Sequence, residues 1–452
     1  MKQLRLALAV IVCKLLIVAG KLMGTKSSSA PGRIALKICP QALELLAPKV
    51  KEKIICVLGT NGKTTTNNMI NTFVTESGHT AVCNTVGANM LDGIATAFIS
   101  TAGLFGSLKA DYAVLEIDEA SAKIVFDYLT PDVIVITNLF RDQMDRYGEI
   151  TETLEQLKIA VKKAPNATLV LNGDDPMCAS FTKSVENPHV IFGVSEETNQ
   201  PKTETKEGRT CLFCGSELSY NFYHYNQLGD FFCEGCDFKR PEPDFSASNV
   251  ELSPTLSFLL NGKQEVKTPL LGFYNLYNAL ASIAVAETVN LKIHNYTEIF
   301  ADYETQTARM EEFFLEKPVI LNLAKNPAGF NQAIATLKND PRKKAVVVGI
   351  NDMPSDGIDI SWLYDVDFEL LSDCVAHGAA GKRCHDMAVR WFYADVEDVK
   401  VNENPVTLGL ELLETDCEVV YLLVNYTLIF DAKKELLKAE KAFGKTIQKG
   451  EV

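Results

Sequence analysis

The chain has 452 residues, 47% of them hydrophobic and 23% charged, with a net charge of −14. That length suits roughly three domains of ~150 residues, the composition is that of an ordinary globular protein, and the acidic balance disfavours broad binding to nucleic-acid phosphates. With twelve cysteines in a chain this long, a small disulfide scaffold is excluded; the compartment expected is the reducing cytoplasm, and the use expected for clustered thiols is metal binding.

The first apolar stretch, LRLALAVIVCKLLIVAG, is interrupted by Lys14 and closed by Lys21, which leaves no uncharged run of ~18 residues. A helix is expected there, packed on the body first of all, otherwise touching a membrane surface through its apolar side, with a true membrane span as the least favoured reading. The polar, turn-rich GTKSSSAPGR follows as a linker, and residues 1–48 form a first unit of helix and linker.

KEKIICVLGTNGKTTTNNMINTFV then reads as strand, glycine loop and helix. Further buried strands, ADYAVLEIDEAS, PDVIVITNLF and ATLVLNGDDP, alternate with helical segments, a pattern of parallel sheet with helices on both faces. Sites in such sheets form at the carboxyl ends of strands, where Gly59, Glu116, Asn138 and Asn172 fall. Residues 196–248 break the pattern: they are polar, rich in Tyr and Phe, and carry paired cysteines. They read as an insertion in an α/β domain spanning 49–310, which resumes with the helix LLGFYNLYNALASIAVAETV. From 311 to 452, PVILNLA, KKAVVVGI, DCVAHG and VVYLLVN are four strand candidates of a second α/β domain.

The loop GTNGKTTT has its glycines at 59 and 62, closer together than in the common G-x-x-x-x-G-K-[ST] loop, where Val57 would be the first glycine. Backbone N–H groups over Gly59, Thr60, Asn61, Gly62, Lys63, Thr64 and Thr65 can wrap a phosphate at the start of a helix. Lys63 would reach the β/γ-phosphates and the Thr64 hydroxyl would bind Mg²⁺. A carboxylate at a downstream strand end supplies a second Mg²⁺ contact, and Glu116 is the candidate; Asp118 and Glu119 are read mainly as surface acids, Glu119 with the better claim to a direct role.

Cys211, Cys214, Cys233 and Cys236 form C-x2-C-x18-C-x2-C, the spacing of a tetrahedral zinc site on a β-ribbon. Four thiolates leave no open coordination position, so a structural zinc is expected. The stretch GINDMPSDGIDISWLYDVDFE holds six acids directly after a buried strand. Asp352 and Asp356 are working candidates there, against the bland reading of a solvated loop. No nucleophile set stands out, and His377 and His385 read as structural.

Taken together, GTNGKTTT, LEIDEAS, TNLFRDQMDRYGE, LNGDDP, GFYNLYNALASIAVA and ARMEEF resemble, in order and spacing, the Mur ligases and folylpolyglutamate synthases over roughly residues 50–315. The inserted four-cysteine ribbon, with KNPAGFNQAI and YTLIFDAKKEL in the C-terminal domain, is similar to the MurT-type subunits of lipid II isoglutaminyl synthase. That resemblance implies a Mur-ligase-like ATP-binding domain and a C-terminal Rossmann-like domain that docks a GatD-type glutaminase. It implies ATP and Mg²⁺ as cofactors, with lipid II as the substrate. It also implies that Asn275 contacts adenine, that Asp175 lies near the nucleotide and Arg309 near its phosphates, and that Asp352, or else Asp356, completes the partner's Cys-His pair. The alternatives are a stand-alone ligase joining an amino acid to a carboxylate and a zinc-ribbon nucleic-acid-binding ATPase, the latter against the net charge.

The sequence departs from the amino-acid-adding ligases at three places. Gln143 stands where they carry a metal-binding histidine, which puts a second Mg²⁺ in doubt. No motif marks their carbamylated lysine. LNLAKNPAG replaces the segment that serves an incoming amino acid, which fits a chain that needs only ammonia. A phosphate loop starting near residue 57, without a large substrate-binding domain ahead of it, suits a lipid-linked substrate met at the membrane.

Overall fold

The computed structural model describes residues 2–23, 28–84, 88–140, 150–198, 208–252, 255–301, 303 and 310–450. Gln143 and Arg309 lie outside the described residues.

The central sheet is built from β1 (Lys53–Leu58), β2 (Ala81–Cys83), β3 (Tyr112–Glu116), β4 (Val133–Ile136), β5 (Thr168–Asn172) and β6 (His189–Val194), followed by β9 (Phe245–Glu251), β10 (Leu256–Leu260) and β11 (Gln264–Thr268). Its order is β11-β10-β9-β6-β5-β4-β1-β3-β2. β2, β3, β1, β4, β5, β6 and β9 run parallel, and β10 and β11 close one end as an antiparallel hairpin. The strand alternation feeds two cores. Ile54, Cys56 and Leu58 of β1 face one side, while Ile55 and Val57 face the other. Burial on both faces is why KIICVL reads as an unbroken apolar run rather than an alternating one.

The inserted segment folds as a separate antiparallel hairpin, β7 (Leu218–Tyr225) with β8 (Leu228–Cys233). The C-terminal sheet holds β12 (Glu311–Phe314), β13 (Pro318–Leu323), β14 (Lys344–Gly349), β15 (Ala376–Ala380), β16 (Val399–Asn402) and β17 (Val419–Val424) in the order β12-β13-β17-β14-β15-β16. Only β12 is antiparallel to its neighbour. Here too the strands serve two cores, Val346 and Val348 facing one and Ala345 and Val347 the other. The expectation of an α/β fold with a phosphate-loop domain and a second Rossmann-like sheet holds.

The N-terminal helix, Lys2–Leu22, lies on the body. Leu6, Ala9, Val10 and Cys13 are fully buried against the helices Ala30–Ile38 and Leu91–Thr101. Its outer face is apolar as well: Leu4, Leu8, Ile11, Leu15, Val18 and Leu22 are exposed at the three-and-four spacing of one helical stripe.

Parallel strands put their carboxyl ends on one edge. In the central sheet that edge carries the phosphate loop, Glu116, Asn138 and Asn172; in the C-terminal sheet it carries Ala324–Asn326, Asn351 and Asn425. The two edges face each other across a cleft lined by Asn61, Gly62, Asn138, Phe140, Tyr225, Tyr274 and Asn278 on one side and by Asn322–Lys325, Ala328, Gly329 and Gln332 on the other.

Candidate active site

The phosphate loop is held from beneath by the end of β4. Asn138 Oδ1 accepts from the Asn61 N–H (2.9 Å), and Asn138 Nδ2 donates to the Asn61 carbonyl (3.0 Å). The Thr60 N–H donates to the Asn138 carbonyl (2.8 Å). Gly62 is the residue before the Lys63–Glu76 helix and sits at φ +82°, where a Cβ would also run into the Asn278 side chain. Glycine meets both demands, and the helix N-terminus with its free N–H groups opens beside the loop.

Lys63 is buried and donates to Glu119 Oε1 (2.7 Å), to the Thr60 carbonyl (3.3 Å) and to the Gly59 carbonyl. Burial works against its ammonium, but the Glu119 and Glu116 carboxylates outweigh it and hold the amine above its usual value. Glu119, read from the sequence mainly as a surface acid, is therefore buried and paired with the loop lysine. Glu116 receives the Thr64 hydroxyl on Oε2 (2.8 Å) and Asn89 Nδ2 on Oε1 (3.0 Å). Its backbone is clamped by Asn84, which accepts from the Glu116 N–H (2.9 Å) and donates to its carbonyl (2.8 Å). A hydroxyl and a carboxylate oxygen adjoining at a phosphate loop are the hard oxygen donors that Mg²⁺ takes. Nothing in the sequence motif pointed to Asn84 or Asn89.

Asp175 is buried beneath Asn138. Its Oδ2 accepts from the Leu139 N–H (2.7 Å) and its Oδ1 caps the short helix Pro176–Ala179 at Met177 (2.9 Å). Burial pushes its carboxyl up to about 6. Asn275 is also buried, donating to the Leu271 carbonyl (2.7 Å) and accepting from Asn278 Nδ2 (2.9 Å). In the same helix, Tyr274–Thr288, it is Tyr274 and Asn278 that line the cleft.

Among the acids after β14, Asp356 is 3% exposed. It accepts the Thr427 N–H (2.9 Å) and hydroxyl (2.5 Å), capping the helix Tyr426–Gly450, and burial pushes its carboxyl up. The Asp352 side chain keeps 24% of its surface and pairs with Arg383 Nη2 (2.8 Å). Of the two, Asp352 is the one that a second protein can reach. Burial, with the Glu116 and Asp356 carboxylates, pushes the Tyr426 phenol up. His377 is buried, its Nε2 on the Leu371 carbonyl (2.8 Å) and its ring against Trp391.

The four sulfurs of Cys211, Cys214, Cys233 and Cys236 lie within 4.8 Å of one another, with Cys211–Cys236 at 3.6 Å and Cys214–Cys233 at 3.4 Å. A tetrahedral ZnS₄ centre needs sulfurs about 3.8 Å apart, so the donor set fits. Each knuckle is shaped by the backbone: Gly215 N–H donates to the Cys211 carbonyl (3.0 Å) and Cys233 N–H to the Phe238 carbonyl (2.8 Å).

Comparison with known proteins places this geometry. Residues 57–234 match the Mur ligase middle domain and residues 323–448 the MurT ligase C-terminal domain. The chain is 36% identical over 423 residues to the lipid II isoglutaminyl synthase (glutamine-hydrolyzing) subunit MurT of Streptococcus pneumoniae strain R6, covering 91% of this chain and 92% of that one. It is likewise 36% identical over 394 residues to the MurT subunit of Staphylococcus aureus strain N315, covering 86% and 88%. Among solved structures it is similar to a pseudomurein peptide ligase type C from Methanothermus fervidus, with a TM-score of 0.69, 25% identity and 86% and 79% of the two chains covered. Together with a phosphate loop facing a MurT-type C-terminal domain, these matches mean that the chain belongs to the MurT family of lipid II isoglutaminyl synthase subunits.

Proposed function

We infer that this chain is the ATP-using subunit that amidates the α-carboxyl of D-glutamate in the lipid II stem peptide, giving D-isoglutamine during peptidoglycan synthesis. The observation that carries the reading is the Thr64–Glu116 pair beside Lys63 in a cleft closed by a MurT-type domain. A carboxylate is a poor electrophile. Its oxygen attacks the γ-phosphorus of ATP, ADP leaves, and an acyl phosphate forms; ammonia then attacks the carbonyl carbon, phosphate departs and a proton is lost. Lys63 and the N-terminus of the Lys63–Glu76 helix offset charge on the transferring phosphoryl group. Mg²⁺ would be held by the Thr64 hydroxyl and the Glu116 carboxylate, and it neutralises phosphate charge when bound. Zinc would be held by the four cysteines as a closed structural site.

Ammonia at neutral pH is mostly ammonium, so a docked glutaminase of the GatD type delivers the free base without loss. The partly exposed Asp352, oriented by Arg383, is the residue proposed to complete the partner's Cys-His pair. The setting is the cytoplasmic face of the membrane, where the exposed apolar stripe of the first helix, flanked by Lys14 and Lys21, would rest on the lipid surface. Unchanged membrane association and lipid II turnover after removal of residues 1–24 would contradict that contact.

The function is tested by co-purification with a glutaminase and by comparing two nitrogen sources. The Asp352→Ala complex is expected to lose amidation driven by glutamine and to keep amidation driven by ammonium. Equal loss with both sources would contradict the assignment of Asp352, and turnover that requires a free amino acid would contradict the function.

A further inference from the structure

The cysteine ribbon is not an appendage remote from the chemistry. Its hairpin has two ends. The cysteines sit at one, and the β7–β8 turn at the other is driven into the central domain, with Tyr225, Gln227 and Leu228 all buried. Gln227 Nε2 donates to the Leu139 carbonyl (2.6 Å), and the Gly229 N–H donates to the Asp174 carbonyl (3.0 Å). Leu139 is the neighbour of Asn138, which carries the phosphate loop through Asn61 and Thr60. At the base of the ribbon Arg240 Nε donates to Asp174 Oδ1 (2.6 Å), and Tyr277 donates its hydroxyl to Asp174 Oδ2 (2.8 Å). The hairpin is thus pinned on both flanks to the elements that form the cleft.

Tyr225 is the side chain this pinning presents. Its ring packs against Phe140 (5.9 Å between centroids), Tyr277 (5.9 Å) and Phe273 (6.1 Å). It lines the cleft together with Tyr274 and Asn278, across from Asn322, while Asn61 and Gly62 line the phosphate-loop end. Among the described residues its hydroxyl makes no hydrogen bond, so the ring rather than the hydroxyl is what the fold positions. A cleft with backbone amides at one end and an aromatic wall with amide side chains at the other matches a nucleotide, phosphates first and base last.

We propose that Tyr225 is a nucleotide-binding residue whose ring forms a wall for the base of ATP, and that the four-cysteine end holds the hairpin stiff so that this wall stays in place. The inference rests on the reading of the cleft as an ATP site. It gives the ribbon a role in the reaction, namely in affinity for the nucleotide.

The test uses the full chain in complex with its glutaminase, with a non-hydrolysable ATP analogue as the probe for calorimetric Kd and with ATP for kinetics. Tyr225→Ala is expected to raise the Kd and the KM for ATP about tenfold, in the range of one lost base–aromatic contact, with kcat at saturating ATP within about twofold. Tyr225→Phe is expected to bind as the parent does. Stripping the zinc with a chelator, with the chelator then removed and Mg²⁺ restored, is expected to raise the Kd in the parent and to add little in Tyr225→Ala, because both act through the same wall. Thermal unfolding of each variant, followed alongside, reads folding separately. An unchanged Kd in Tyr225→Ala, with Lys63→Met abolishing binding, would overturn the role of Tyr225 and leave the ATP site standing. Unchanged binding in Lys63→Met would instead overturn the ATP site itself. A Kd for the analogue that is indifferent to chelation would overturn the role of the cysteine end.

Discussion

Asn61 of the phosphate loop and Asn326 of the C-terminal domain hydrogen-bond to each other through both halves of their side-chain amides. Asn61 Nδ2 donates to Asn326 Oδ1 at 3.3 Å, and Asn326 Nδ2 donates to Asn61 Oδ1 at 3.1 Å. The pair crosses the cleft beside the phosphate loop. Asn326 Oδ1 also accepts from the Gly329 N–H (2.8 Å), capping the helix Pro327–Asn339. One residue therefore sets the helix start and closes the two domains on each other.

Those two roles separate by substitution. Asn326→Ala removes cap and bridge, and is expected to cost about 1 kcal/mol of stability and to raise the KM for ATP several-fold. Asn326→Asp keeps a capping oxygen but loses the donor to Asn61, so stability should be near that of the parent while the KM stays raised. Denaturant unfolding and steady-state kinetics on the same samples check both halves.

The Lys63–Glu119 pair gives a second expectation. Both side chains are buried, and removing one partner of such a pair leaves an uncompensated charge, a loss of about 3–5 kcal/mol. Glu119→Ala should lower the unfolding midpoint far more than Thr64→Ala, whose side chain contributes one hydrogen bond. Thr64→Ala and Glu116→Gln should instead depress kcat by about a hundredfold or more with folding intact. Activity and unfolding measured in parallel distinguish the structural acid from the pair proposed to hold Mg²⁺.

Much of this was legible in the sequence. Unbroken apolar strands, each ending in a glycine, asparagine or acid, announced a parallel sheet and its working edge, and the four cysteines announced a ribbon by spacing alone. Partnerships across long separations were not legible. Glu119 looks like one surface acid among several until the fold buries it on Lys63. Asn84 and Asn89 carry no motif, yet they hold Glu116. The opposite limit is seen at Asn275 and Asn278: helical spacing puts both near the cleft, and only packing shows which one turns inward. In the sequence the ribbon reads as a separate insertion because nothing local to Tyr225 or Gln227 says where a hairpin tip ends up.

Asp175 provides a pH expectation. Burial pushes its carboxyl up to about 6, against about 3.9 in an unfolded chain. Between roughly pH 4 and 6 the folded protein holds more protons at this group than the unfolded chain does, so its contribution to stability falls as pH rises through that window and is fully lost above it. Asp175→Asn should flatten the pH dependence of stability across the same window by about 2–3 kcal/mol, whatever its absolute stability. Denaturation midpoints at the two ends of the window measure the slope directly.

For the cysteine cluster, metal analysis is expected to find one zinc per chain. Cys214→Ser should lower metal content together with the thermal midpoint, since binding energy at a structural zinc is folding energy. Loss of metal without loss of stability would contradict a structural site.

Amidation by this chain is measured most simply by supplying lipid II, ATP, Mg²⁺ and isotopically labelled ammonium without a glutaminase and following the stem peptide by mass spectrometry. Labelled amide is expected at the D-glutamate α-carboxyl, formed in step with ADP and absent in Lys63→Met. Unmodified lipid II beside ATP turnover that depends on a free amino acid would contradict it.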